Sequence, residues 1–310
     1  METVLQYIPM QISELIQSLP NKLLTEMEEI RLRIGRPVEV CASCQPHFLN
    51  YTFTKKDADQ FISKLANHSF YTLDEELKKG YITIAGGHRV GLAGKVILEN
   101  GYVKAIRHLA SFNIRIAREK PGVADKYIPY LYDQGWKNTM VIGAPQTGKT
   151  TLLRDLARLA STGMENYHIP ALKVGIVDER SEIAGCVHGE PQLRFGPRVD
   201  VLDACPKAEG MMMMIRSMSP DVLIVDEIGR PEDSIAILEA VNAGIKLIMT
   251  MHGRNIAEVK NRPMLKEIFD QNVFERVIGL SREKGPGTVT TISDAKGNTI
   301  TRKTALLHYV

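Results

Sequence analysis

Gly143-Ala144-Pro145-Gln146-Thr147-Gly148-Lys149-Thr150 is the stretch that decides the fold of this chain. It fits the pattern G-x-x-x-x-G-K-[ST] of a phosphate-binding P-loop. The flanks agree. Thr139–Ile142 reads as a short buried strand, and Thr151–Ala160 as a helix with apolar residues at 152, 153, 156, 157, 159 and 160. Two glycines let the backbone wrap closely around phosphate oxygens, and the loop N–H groups and the positive end of the new helix then face the anion. Lys149 can then reach the β- and γ-phosphates, and the Thr150 hydroxyl can ligate Mg²⁺. The expected nucleotide-binding residues are therefore Gly143, Ala144, Pro145, Gln146, Thr147, Gly148, Lys149, Thr150 and the following Thr151.

Beyond the loop, strand-like cores recur at 139–142, 173–177, 222–226 and 246–251, with helical stretches between them. That is the βαβ pattern of a parallel sheet covered on both faces. Ligands in such sheets bind beyond the carboxyl ends of the strands. The polar residues at those ends are Lys149 and Thr150, Asp178 and Glu182, Asp226 and Glu227, and His252. Asp226 closes a hydrophobic strand and suits the Mg²⁺ shell, Glu227 suits the polarisation of an attacking water, and His252 suits a γ-phosphate or sensor role.

The remaining chain suggests a second domain. A P-loop domain is expected over 121–310, with its core at 137–255, preceded by a smaller α+β domain over 1–120. In the latter, Val4, Leu5, Ile8, Ile12, Leu15, Ile16 and Leu19 fall on one face of a helix that ends at Pro20. Glu29–Ile34, Val38–Val40 and Ser111–Arg118 alternate like half-buried strands, and 55–68 and 72–79 read as helices. Gly80–Ile97 reads as two strands around Gly86-Gly87-His88-Arg89, a hairpin turn or else an anion cradle. Glu119-Lys120-Pro121-Gly122 is the expected hinge, and 274–310 holds short β pieces around Gly285-Pro286-Gly287. Met211–Met214 reads as helix packing rather than a metal site. Cys41 and Cys44 have metal-ligand spacing, but Cys186 and Cys205 do not supply a second pair, so reduced thiols are expected. A net charge of +3, from 39 basic and 36 acidic residues, is too mild to argue for nucleic acid. No apolar run approaches the ~18 residues of a membrane helix, so no direct span is expected.

The boxes at Gly143–Thr150, Asp178–Glu182, Ser219–Ile228 and Ala240–His252 resemble, in this order, the motifs of the type II and type IV secretion ATPases and pilus motors. The resemblance covers roughly 137–255. It implies a RecA-like domain, ATP with Mg²⁺, a hexameric ring of identical chains, and arginines of an N-terminal domain that reach the nucleotide. Arg115 and Arg118 are the nearest match to those arginines. The chain departs from the pattern where Asp226 precedes Glu227 in place of the usual glycine, and where Arg230 falls one position late. Over the full length, Glu28–Pro37, Gly80–Gly94 and Asn113–Arg118 look like the stage III sporulation protein AA family of endospore-forming bacteria. That resemblance implies a cytoplasmic ATPase of the mother cell, peripheral at a membrane and energising a channel complex whose other subunits are membrane proteins.

ATP hydrolysis, with Glu227, Asp178, Glu182, His252, Arg115 and Arg118 as candidate catalytic residues and Thr150 and Asp226 as metal ligands, is thus the leading expectation. The alternative is a P-loop protein that binds single-stranded nucleic acid along Arg31, Arg33, Arg36, Arg89 and Arg107. Aromatic residues make up only 6% of the chain, so stacking platforms are scarce. A GTPase lacks its Asn-Lys-x-Asp box here, since Asn21-Lys22 is followed by Leu23-Leu24. No acceptor pocket of a small-molecule kinase is legible.

Overall fold

The computed structural model of the chain describes residues 1–43, 45–66 and 80–300. Two units emerge, Met1–Arg118 with Gly185–Gln192, and Glu119–Ala184 with Leu193–Val310.

The first unit is built on β1 (Met27–Arg33), β2 (Pro37–Ala42), β3 (Gln45–Thr52), β4 (Tyr81–Ile84), β5 (His88–Glu99) and β6 (Tyr102–Arg115). They form an antiparallel sheet in the order β3-β2-β1-β6-β5-β4. Alternation explains its two faces. Ile30 and Leu32 of β1 and Phe112 and Ile114 of β6 are buried, while Glu29, Arg31, Arg33 and Arg115 lie on the other side. Helices Met10–Gln17 and Lys55–Leu65 cover the buried face, with Ile12, Ile16, Ala58 and Phe61 in one cluster with those strand residues. Phe112 meets Phe53 and Phe61 edge-on at 6.1 and 5.1 Å between ring centroids.

The single helix expected over 4–19 is instead two, Glu2–Leu5 and Met10–Gln17. Pro9 stands between them. Its ring disfavours helical backbone at Ile8, and its own extended backbone makes it the N-cap of the second helix, its carbonyl accepting the Ile12 and Ser13 N–H groups. The apolar periodicity survives the break, since Val4, Ile8, Ile12 and Ile16 are all buried. Gly86-Gly87 is a hairpin turn between β4 and β5. His88 beside it is not an anion-binding cation. Its Nδ1 accepts from the Ala117 N–H at 3.0 Å, its Nε2 meets Thr3 Oγ1 at 2.9 Å, and burial pushes its pKa down to about 4. The helix expected at 72–79 and Cys44 of the cysteine pair fall outside the described residues.

The second unit carries β7 (Thr139–Gly143), β8 (Val174–Asp178), β9 (Val199–Asp203), β10 (Val222–Val225), β11 (Lys246–His252), β12 (Arg276–Ser281) and β13 (Thr288–Ser293). Their order is β13-β12-β7-β11-β10-β8-β9, parallel from β12 to β9 with only β13 reversed. Both faces are buried, which is why the central strands read as unbroken apolar runs. Val141, Ile176, Ile224 and Ile248 pack on one side with Leu153, Leu156 and Ala157 of the Lys149–Thr162 helix. Met140, Val225, Met249 and Met251 pack on the other with Met211 and Met214 and with Ile237 and Ala240. Register sets the site. Gly143 pairs with His252, and Val225 pairs with both Met249 and Val177, so the strand ends open on one edge of the sheet.

Candidate active site

The P-loop is shaped by close backbone approach. Gly148 caps the Lys149–Thr162 helix at φ +90°, and a Cβ there would lie 3.0 Å from the Gly287 backbone nitrogen. At Gly143 a Cβ would stand 2.4 Å from Thr147 Oγ1, the hydroxyl that donates to the Ala144 carbonyl at 2.8 Å. The β12–β13 hairpin supports the loop from outside. The Gly287 N–H donates to the Thr147 carbonyl at 2.8 Å, and Arg282 donates to Gln146 Oε1 at 3.1 Å.

Lys149 is only 5% exposed. Its ammonium donates to the Gly143 and Ala144 carbonyls, both at 3.1 Å, and lies 3.2 Å from His252 Nδ1. Burial lowers its pKa, and the charges of Glu227 and Asp226 oppose that shift.

The acidic side is equally interlocked. Thr150 donates its hydroxyl to Asp226 Oδ2 at 2.8 Å, and Thr250 donates to Asp226 Oδ1. The Thr250 oxygen accepts the Glu227 N–H at 2.8 Å, which pins Glu227 in left-handed backbone at φ +53°. Glu227 Oε1 is 2.8 Å from His252 Nε2, and its Oε2 is 3.4 Å from Arg180 Nη1. The imidazole thus accepts from Lys149 at Nδ1 and donates from Nε2 to Glu227, which fixes its tautomer as Nε2–H. Sequence reasoning missed both Thr250 and Arg180. The signal for Thr250 is a lone hydroxyl inside an apolar strand, two residues before His252.

Asp178 and Glu182 belong to a folded loop at the end of β8. The Asp178 side chain is buried, and its oxygens accept the N–H groups of Glu182 at 2.8 Å and of Ile183 and Ala184 at 2.9 Å. Burial pushes its pKa up to about 6, the charge of Asp203 adds to that, and the three amide bonds oppose it. Arg154 grips the same loop, donating to the Glu182 and Ile183 carbonyls at 2.7 Å each. Asp178→Asn is expected to cost about 1–3 kcal/mol of stability, because its oxygen can keep the Ile183 and Ala184 N–H groups while its NH₂ meets the Glu182 N–H, a mismatch only partly offset by removal of a buried charge. A shift of the urea midpoint measures it, and an unshifted midpoint contradicts it.

Lys149, Thr150, Asp226, Glu227 and His252 are thus joined by hydrogen bonds, with Thr250 bridging Asp226 and Glu227. Arg115 and Arg118 lie in the other unit. Arg115 is exposed on β6, and Arg118 donates to the Met27 carbonyl at 2.6 Å. Two arginines of the nucleic-acid alternative are paired with carboxylates, Arg31 with Glu29 at 2.7 Å and Arg33 with Glu39 at 2.6 Å. Arg89 lies over the Tyr81 ring, 3.4 Å from its centroid. Among the described residues no helix is long and apolar enough to cross a membrane.

The fold is a mixed α/β one, and its structural neighbours include secretion and pilus ATPases. The structure matches that of the Legionella pneumophila ATPase DotB with a TM-score of 0.59 at 17% identity, over 88% of this chain and 76% of DotB. It matches the pilus retraction motor PilT, solved with bound ADP, with a TM-score of 0.58 at 15% identity, over 86% of this chain and 76% of PilT. Residues 1–300 match the family described as sporulation stage III, protein AA, and the chain belongs to that family. It is 57% identical over 306 residues to stage III sporulation protein AA of Bacillus subtilis strain 168, covering 99% of both chains.

Proposed function

We propose that this protein is a Mg²⁺-dependent ATPase that works as a ring, a hexamer, and energises a membrane-bound channel complex during endospore formation from the cytoplasmic side, in the mother cell. The observation that carries the enzymatic part is the joining of Thr150, Asp226, Glu227, His252 and Lys149 at the ends of three neighbouring strands. A hydroxyl and a carboxylate 2.8 Å apart, both hard oxygen donors, suit Mg²⁺, so Thr150 and Asp226 would hold it. When bound, the ion neutralises charge on the phosphates. Lys149 turns its N–H donors from the loop carbonyls to the β- and γ-phosphates, and the loop amides cradle the rest. Glu227, held by the Thr250 hydroxyl and by His252, orients water and takes its proton. Asp178 acts on this scheme by fixing the 179–184 loop, and Glu182 through its place in that loop.

The ring part rests on family membership and on the likeness to DotB and PilT. Phosphoryl transfer without a transition-state arginine is typically slower by ~10³ or more. In this reading Arg115 and Arg118 supply that charge. Specific ATPase activity should then rise with protein concentration as subunits associate, and Arg115→Ala or Arg118→Ala should cut turnover with ATP binding retained. Full activity independent of concentration, with both variants unimpaired, contradicts the ring.

A further inference from the structure

Arg180 stands where no box of the site assigns a role. Its backbone belongs to a segment fixed at every neighbouring residue. Asp178 is locked to three amides, and Glu179 is held by Lys207 and by Arg230 at 3.5 Å. Ser181, in left-handed backbone at φ +53°, donates to Asp203 at 2.6 Å. The Arg180 side chain leaves this scaffold and places Nη1 3.4 Å from Glu227 Oε2. The other oxygen of the same carboxylate, Oε1, faces His252 Nε2 at 2.8 Å. The two carboxylate oxygens thus meet different partners from different strand ends, β8 and β11. A carboxylate gripped at both oxygens has its plane and direction set, which is what a group that must align a water requires.

We propose that Arg180 is a positioning residue for hydrolysis, acting through Glu227 by fixing the direction of its carboxylate. This rests on the ATPase reading above. Glu227 without Arg180 keeps the contact to His252 but is free to rotate about it, so water is misaligned while the phosphate grip of the P-loop is untouched. The Arg180 side chain is 61% exposed, so its removal leaves the core alone. Arg230 has a place in the same arrangement. It supports Glu179, next to Arg180.

The test is steady-state ATP hydrolysis and equilibrium binding of ATP with Mg²⁺ by the full chain, comparing wild type, Arg180→Ala and Arg180→Lys. The Ala variant should lose kcat on the order of 10-fold to 100-fold with KM and Kd for ATP unchanged. Arg180→Lys should recover part of kcat, since it returns a cation without the fork geometry. An active wild type with an equally active Arg180→Ala overturns the inference and leaves the ATPase reading standing. Loss of ATP affinity in step with kcat also overturns it, because Arg180 would then be a phosphate ligand. A wild type that binds ATP but never hydrolyses it removes the ATPase reading and the inference together.

Discussion

Lys149→Ala is expected to abolish tight ATP binding and turnover while the fold survives. The ammonium is buried and its pKa lowered by that burial, so the folded chain carries an unfavourable charge that Ala removes. What the variant loses structurally is small, namely donors to the Gly143 and Ala144 carbonyls and to His252 Nδ1. What it loses toward phosphate is large. Charge-assisted hydrogen bonds contribute about 1.5–3 kcal/mol each, so binding should weaken by about 100-fold or more. Turnover should fall by about 10³-fold, the scale of removing one preorganised electrostatic donor. Titration with a fluorescent ATP analogue beside a thermal denaturation curve checks both halves. Wild-type affinity in a folded variant contradicts the P-loop assignment.

Glu227→Gln is expected to keep ATP affinity and lose turnover by about 10²–10⁴-fold. The amide has the same shape, and its oxygen still accepts from His252 Nε2–H. Its NH₂ cannot accept from Arg180 and cannot take a proton from water. The Kd for ATP measured on the variant should match wild type while phosphate release falls to background. If Glu227→Gln turns over normally and Asp178→Asn or Glu182→Gln does not, the base lies in the β8 loop. His252→Ala should slow hydrolysis less than Glu227→Gln, since it removes one of the two contacts that direct the carboxylate and leaves the carboxylate itself.

The central sheet and the grouping of the candidate site residues were legible because both advertise themselves in one dimension. A parallel strand buried on two faces is an apolar run, and the first polar residue after it marks the edge where ligands bind. Asp226 after Val222–Val225 and His252 after Leu247–Met251 are found that way. Thr250 escapes the rule because it sits inside its run and acts sideways, on the neighbouring strand end. Asp178 obeys the rule, yet its carboxylate is taken up by the amides of its own loop, which depends on a turn the sequence does not announce. Edge strands were the least visible. In β9 every residue is partly exposed, and in β3 the exposure alternates but the apolar residues do not follow it, since exposed Phe48 stands beside half-buried Leu49. The grouping of Gly185–Gln192 with the first unit has no local signal either, because it is a matter of long-range packing.

Phosphate release from ATP by the purified full chain, with and without Mg²⁺ and across a wide range of protein concentration, decides whether the protein is a ring-forming ATPase. The expected result is saturable release that requires Mg²⁺, rises per subunit as the chains associate, and vanishes in Glu227→Gln while ATP still binds. Release that is no greater than that of Glu227→Gln at every protein concentration would contradict it.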